Sequence, residues 1–158
     1  MAEEYRLKAL LGLRERSRQS AEEALAIAQN QQSAAERRVE ASKRFRDDAA
    51  FRVRDARDNL YAGEGLTIGV IQGREAFLKR LQGELDDAEE AVSDAERALD
   101  QARRFVKQRH EELIKTKQDE EALLKHRESW EKEQKVVQRR REEDAADDVA
   151  QSLWLRKK

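Results

Sequence analysis

The chain has 158 residues, no proline, no cysteine and six glycines, and 33 lysines and arginines balance 34 aspartates and glutamates. An average chain of this length would carry roughly eight prolines and about eleven glycines, so very long helices are permitted, whereas a broad core is not, because charge takes 42% of the residues and hydrophobic side chains only 38%. Balanced charge argues against a nucleic-acid partner, the lack of cysteine excludes disulfides and thiolate metal sites, and no apolar run reaches the roughly 20 residues that span a bilayer.

The first element opens on an apolar cluster of Leu7, Leu10, Leu11 and Leu13. From Ala21, steps of four and three keep one stripe facing a partner helix: Ala21, Leu25, Ala28, Gln32, Ala35, Val39, Ser42, Arg46, Ala49, Val53, Ala56 and Leu60. Nine of these twelve are apolar, and five of the nine are alanine. A helix is therefore predicted from about residue 3 to about 61. Glu3 and Glu4 stand where a secretory signal would need basic and then apolar residues.

The second element is a turn over about 62–67. The stretch LYAGEGLTIGVIQGREAF, residues 60–77, holds four of the six glycines, and it softens a chain that otherwise favours helix throughout. Thr67 is placed to cap the following helix through its hydroxyl.

The third element is a helix from about 68 to 155. Its stripe runs Leu78, Leu81, Leu85, Ala88, Val92, Ala95, Leu99, Ala102 and Val106 without a miss, then degrades through Arg109, Leu113, Thr116, Glu120, Leu123, Arg127, Trp130, Gln134 and Val137. Two narrow stripes separated by one break predict an all-α fold, an antiparallel two-helix coiled-coil hairpin with an overhanging second helix, forming a single elongated domain over residues 1–158. A turn centred near residue 66 sets Leu60 beside Ile71 or Arg74, Ala35 near Ala95 to Leu99, and Trp130 over Met1 to Tyr5. At 1.5 Å per residue the helices would be roughly 85 and 130 Å long, so the second overhangs by about 25 residues. The free protein is expected to be a monomer; the competing arrangement is a continuous helix that dimerises through both stripes.

No arrangement of residues points to catalysis. Two helices cannot enclose a substrate pocket, and His110 and His126 lie about 24 Å apart along one helix, too far to share a metal. No phosphate-binding glycine loop ending in lysine occurs. The expectation is a non-enzyme without cofactors or metals that works through its surfaces. Phe51 points off the stripe and Phe77 flanks it within a turn of Phe51, so with Ile68, Val70 and Ile71 they could form an apolar patch at the tip. Arg139, Arg140 and Arg141 are followed at once by Glu142, Glu143 and Asp144, a solvated helical face. Leu153, Trp154 and Leu155 lie past any partner helix and either dock on another protein or fray.

Four stretches in order carry a resemblance. YRLKALLGLRERSRQSAEEAL, from Tyr5, resembles the start of the flagellar export protein FliJ, and GREAFLKRLQGEL, Gly73 to Leu85, resembles its aromatic-leucine segment after the turn. KHRESWEKE, Lys125 to Glu133, is similar to the injectisome counterpart, YscO or SctO, and EQKVVQRRREEDAADDVA is similar to the C-terminal run of both. The tryptophan segment favours the injectisome member, with FliJ as the close alternative. The resemblance implies a cytoplasmic stalk, peripheral at the inner-membrane export apparatus, that binds the hexameric secretion ATPase (SctN or FliI) and the export gate (SctV or FlhA), and that in some members handles export chaperones. By that analogy the open end, with Leu7, Leu10, Leu11, Arg139, Arg140 and Arg141, enters the ATPase ring, and the tip, with Phe51, Ile71, Phe77 and Leu81, meets the gate. A structural spacer coiled coil and a substrate chaperone are the readings from other classes.

Overall fold

The computed structural model describes residues 4–157. Two helices form, α1 over Lys8–Asp58 and α2 over Ile68–Arg156, and no strand occurs among the described residues. The fold is all-α, a two-helix hairpin. Neither helix interior contains proline, and pairs four residues apart, such as Gln32 with Glu36, Arg127 with Glu131 and Gln138 with Glu142, tie successive turns together.

All twelve stripe positions from Ala21 to Leu60 are buried or half-buried, as are all nine from Leu78 to Val106. The spacing of four and three therefore locates the seam residue by residue. Contacts divide the chain into two compact units, Glu23–His110 and what is described of Met1–Glu22 with Glu111–Lys158. In the first, Val39, Ala95 and Leu99 form the core and Ala35 lies against it, as the register required. Lys43 meets Glu96 at 3.4 Å, Arg52 meets Glu84 at 3.2 Å and Arg74 reaches the carbonyl of Leu60. Rising numbers in α1 thus meet falling numbers in α2, the mark of antiparallel pairing.

In the second unit Tyr5 meets His126, Arg14 meets Asp119 and Glu22 lies 4.0 Å from Lys117. Beyond Gln134 every described residue of α2 is exposed, so α1 covers none of residues 135–157.

The helix ends differ from the predicted bounds for local reasons. Residue 3, the predicted start of the first helix, and Met1, part of the predicted cover of Trp130, lie outside the described residues. Tyr5 is outside the helix, and Lys8 N–H donates to the Tyr5 carbonyl at 3.1 Å in a tighter turn. At the other end the chain leaves α1 at Asp58 because Leu60 N–H bonds Arg57 and Ala62 N–H bonds Asn59, three residues back rather than four. Gly63 at φ 101° and Gly65 at φ 71° then hold the left-handed backbone that reverses the chain. Gly69 and Gly73, by contrast, sit inside α2, so only half of the glycine-rich window is turn. Thr67 Oγ1 accepts the Val70 N–H at 3.3 Å, the cap expected of it.

Candidate functional site

Two regions carry surface features, and the turn is the first. Where a helix ends, its carbonyls run out of partners inside it, and here one side chain takes up three carbonyls of the turn that follows α1. Arg74 Nη1 donates to the carbonyls of Asn59 at 3.0 Å, Leu60 at 3.2 Å and Ala62 at 2.7 Å. Asn59 folds back as well, its amide donating to the Asp55 carbonyl at 2.9 Å. The two helix ends are therefore fixed to each other by a guanidinium rather than by apolar packing alone.

Next to this clamp runs a groove of about 610 Å³ whose lining includes Phe51, Phe77, Leu81, Arg80 and the Arg52–Glu84 pair. Phe51 is 63% exposed and Phe77 46%. The Arg80 guanidinium lies 5.1 Å from the centre of the Phe77 ring, a distance at which a cation is attracted to the ring face. Leu81 differs from both: it is 4% exposed, a seam residue that forms the groove floor. Ile71 is half-buried and does not line the groove, and Ile68 and Val70 lie exposed nearby in sequence. Of the four tip residues singled out from the sequence, the groove gathers Phe51, Phe77 and Leu81 and leaves Ile71 aside.

The second region is the unit that contains both chain ends. Tyr5 is 8% exposed, and its hydroxyl lies 2.8 Å from His126 Nδ1. The Tyr5 ring centre is 5.8 Å from that of His126 and 5.3 Å from that of Trp130, tilted in both cases, within the range of favourable aromatic pairing. Trp130 thus meets the start of the chain through Tyr5. Leu7 lies beside this cluster, half-buried and just before α1, and Leu11 is half-buried within α1, with Leu10 exposed.

Further along, Arg18 donates to Glu120 at 2.6 Å and to Glu22 at 2.9 Å. These two partners, Glu22 first, hold its guanidinium above the ordinary arginine value. Glu120 had looked like a poor seam residue. Its side chain is only 15% exposed because Arg18 meets it there. Arg139, Arg140 and Arg141 are exposed, within the stretch that α1 does not cover. Leu153, Trp154 and Leu155 are helical up to Arg156 and exposed.

Sequence reasoning missed the Tyr5–His126 bond, the Arg74 clamp and the Arg18–Glu120 pair. A signal for the last was present, since an acidic residue at a seam position calls for a cation on the facing helix. Among the described residues no helix is long and apolar enough to cross a membrane. No cluster of three or more His, Asp or Glu side chains among them could hold a metal ion.

The profile of the YscO-like protein family matches residues 2–158. The chain belongs to the YscO-like family. A solved structure described as that of a YscO homologue from Chlamydia trachomatis superposes with a TM-score of 0.80 at 22% identity, covering 96% of this chain and 94% of that one. At that identity the likeness speaks to the fold. No curated protein matches the chain. Family membership identifies a stalk-type protein of type III secretion.

Proposed function

We propose that the protein is the central stalk of a type III secretion export apparatus, cytoplasmic and peripheral at the inner membrane, which binds the hexameric secretion ATPase, promotes its activity and links it to the export gate. The observation that carries this reading is the YscO-like profile over residues 2–158. Physical logic supports it. A single asymmetric body inside a six-fold ring touches identical subunits differently, and so biases which of them bind or release nucleotide.

The open end works on the ATPase, with Leu7 just before α1, Leu10 and Leu11 in its first turn, and Arg139, Arg140 and Arg141 on the uncovered part of α2. An exposed run of three arginines on helix that α1 does not cover suits such a contact. The tip meets the gate through Phe51 and Phe77, with Leu81 as floor and Ile71 beside them. Export chaperones are further partners by the same analogy.

The test is ATP turnover by the cognate secretion ATPase with and without this protein, using as control a variant cut after Gln134, which removes only residues that α1 leaves uncovered. Stimulation by the full chain that disappears on truncation is expected. No stimulation together with no co-migration on a sizing column would overturn the stalk reading. For the tip, Phe51→Ala with Phe77→Ala should abolish capture of the gate's cytoplasmic domain in a pull-down; undiminished capture by this helical variant would remove the tip assignment. Leu81→Ala is unsuited to that purpose because it opens the seam as well.

A further inference from the structure

We infer that residues 4–12 form a displaceable strap over α2, clasped by Tyr5, hinged at Gly12, and covering the face around Trp130. The clasp centres on one residue. Between Glu4 and Ala28 only Tyr5 is buried; Leu7 and Leu11 are half-buried, and Leu10 and Leu13 are 37% and 52% exposed. Its grip is specific, with one hydrogen bond to His126 and ring contacts to His126 and Trp130. Residues 4–7 add no helical turn of their own, since α1 begins at Lys8.

The hinge follows from a glycine that packing does not explain. Gly12 sits in α1, its φ is not in the left-handed region, and an added Cβ would meet no atom within 4 Å. Alanine would fit there and would favour helix by about 1 kcal/mol, so glycine serves neither a turn nor a close approach. It weakens α1 between the clasp at Tyr5 and the first interhelical ion pair, Arg14 to Asp119 at 3.2 Å. Beyond Gly12 the pairs of Arg14 and Arg18 hold α1 in place.

Release of Tyr5 therefore frees the strap as far as Gly12 and no further. What it uncovers is the α2 seam at Leu123 and Trp130, both half-buried in the closed state, which extends the uncovered part of α2 back from residue 135. Local opening of this kind is governed by the few contacts that must break rather than by the stability of the whole fold.

Hydrogen exchange on the full chain tests this, together with acrylamide quenching of Trp130 in a Trp154→Phe background. Tyr5→Ala should raise exchange at the amides of residues 11–13 at least tenfold and expose Trp130 to the quencher, with the Val39 amide unchanged. Tyr5→Phe, which keeps the ring and loses the hydroxyl, should fall between that variant and the parent. Gly12→Ala should slow exchange at residues 11–13 about fivefold, the propensity difference expressed as a rate. Unchanged quenching in Tyr5→Ala, an equal rise at Val39, or no slowing in Gly12→Ala would each overturn the strap.

Discussion

The unit Glu23–His110 and the unit that holds the chain ends solve one problem with different chemistry. Both must keep two helices side by side across a narrow stripe. In Glu23–His110 the stripe is mostly alanine, valine and leucine, with Gln32, Ser42 and Arg46 as polar exceptions on α1, its core of Val39, Ala95 and Leu99 is apolar, and the pairs Lys43–Glu96 and Arg52–Glu84 flank it. In the other unit the pairing rests on Arg14 with Asp119, Arg18 with Glu120 and the aromatic cluster of Tyr5. Apolar burial is insensitive to salt and hard to break locally, whereas partly exposed ion pairs are weak and screened. The difference teaches that one heptad pattern can carry a firm stretch and a loosely held one in the same hairpin.

The largest effect should come from cutting into the apolar stretch. Leu99→Ala is expected to cost about 2 kcal/mol in chemical denaturation, the low end for a buried leucine, because a two-helix seam collapses readily around a lost side chain. A loss below half of that would mean that the apolar core is not what distinguishes the two units. Next, Arg74→Ala removes the clamp on three carbonyls and should destabilise by about 1 kcal/mol, since the freed carbonyls lie near water and are partly satisfied by it. Exchange should rise first at residues 57–62.

Salt sharpens the comparison at smaller amplitude. Raising sodium chloride from low concentration to about 1 M, where screening acts within about 3 Å, should speed exchange at residues 14–22 and leave the Val39 amide unmoved. Arg18→Ala should reproduce that pattern at low salt. Equal acceleration in both units would erase the proposed contrast.

The smallest effect is a pH dependence. Lys125 lies 2.8 Å from Glu121 and holds the Glu121 carboxyl below its ordinary value, while Glu121 raises Lys125. A lowered carboxyl pKa contributes stability above the unfolded value and loses it as pH falls through the folded one; the raised lysine contributes below its unfolded value and loses it as pH rises through the folded one. Local helix around 121–125 should therefore be best protected between the two. Glu121→Gln should show slightly faster exchange there at neutral pH and converge with the parent in acid. A difference that persists in acid, once the Glu121 carboxyl is protonated, would point to a cause other than this pair.

Much of the fold was legible because the stripe is a one-dimensional property. Spacing of four and three, read from Ala21 and Leu78, located the seam without any knowledge of which side chains touch. The site was less legible because its contacts are pairwise and depend on register to within half a turn. Glu120 looks like a flaw until Arg18 is opposite it, and Arg74 looks like any surface arginine until three carbonyls converge on it. Glycine content alone does not draw the turn boundary: Gly63 and Gly65 make the turn, Gly69 and Gly73 lie in the helix predicted from about 68, and a count cannot separate a residue that needs positive φ from one that only tolerates helix.

The uncovered stretch of α2 from residue 135 has a consequence for how it behaves alone. An isolated helix must first pass a costly nucleation step, because its first turn fixes several residues for one hydrogen bond. Residues 135–156 do not start a helix; they continue one whose earlier turns are already fixed by α1. Each added turn is then a propagation step, near balance for residues such as glutamate, arginine and alanine, and melting proceeds from the far terminus inward. The tail should thus behave as a graded spring of helix content, longest when cold, rooted in the turns of α2 that α1 covers.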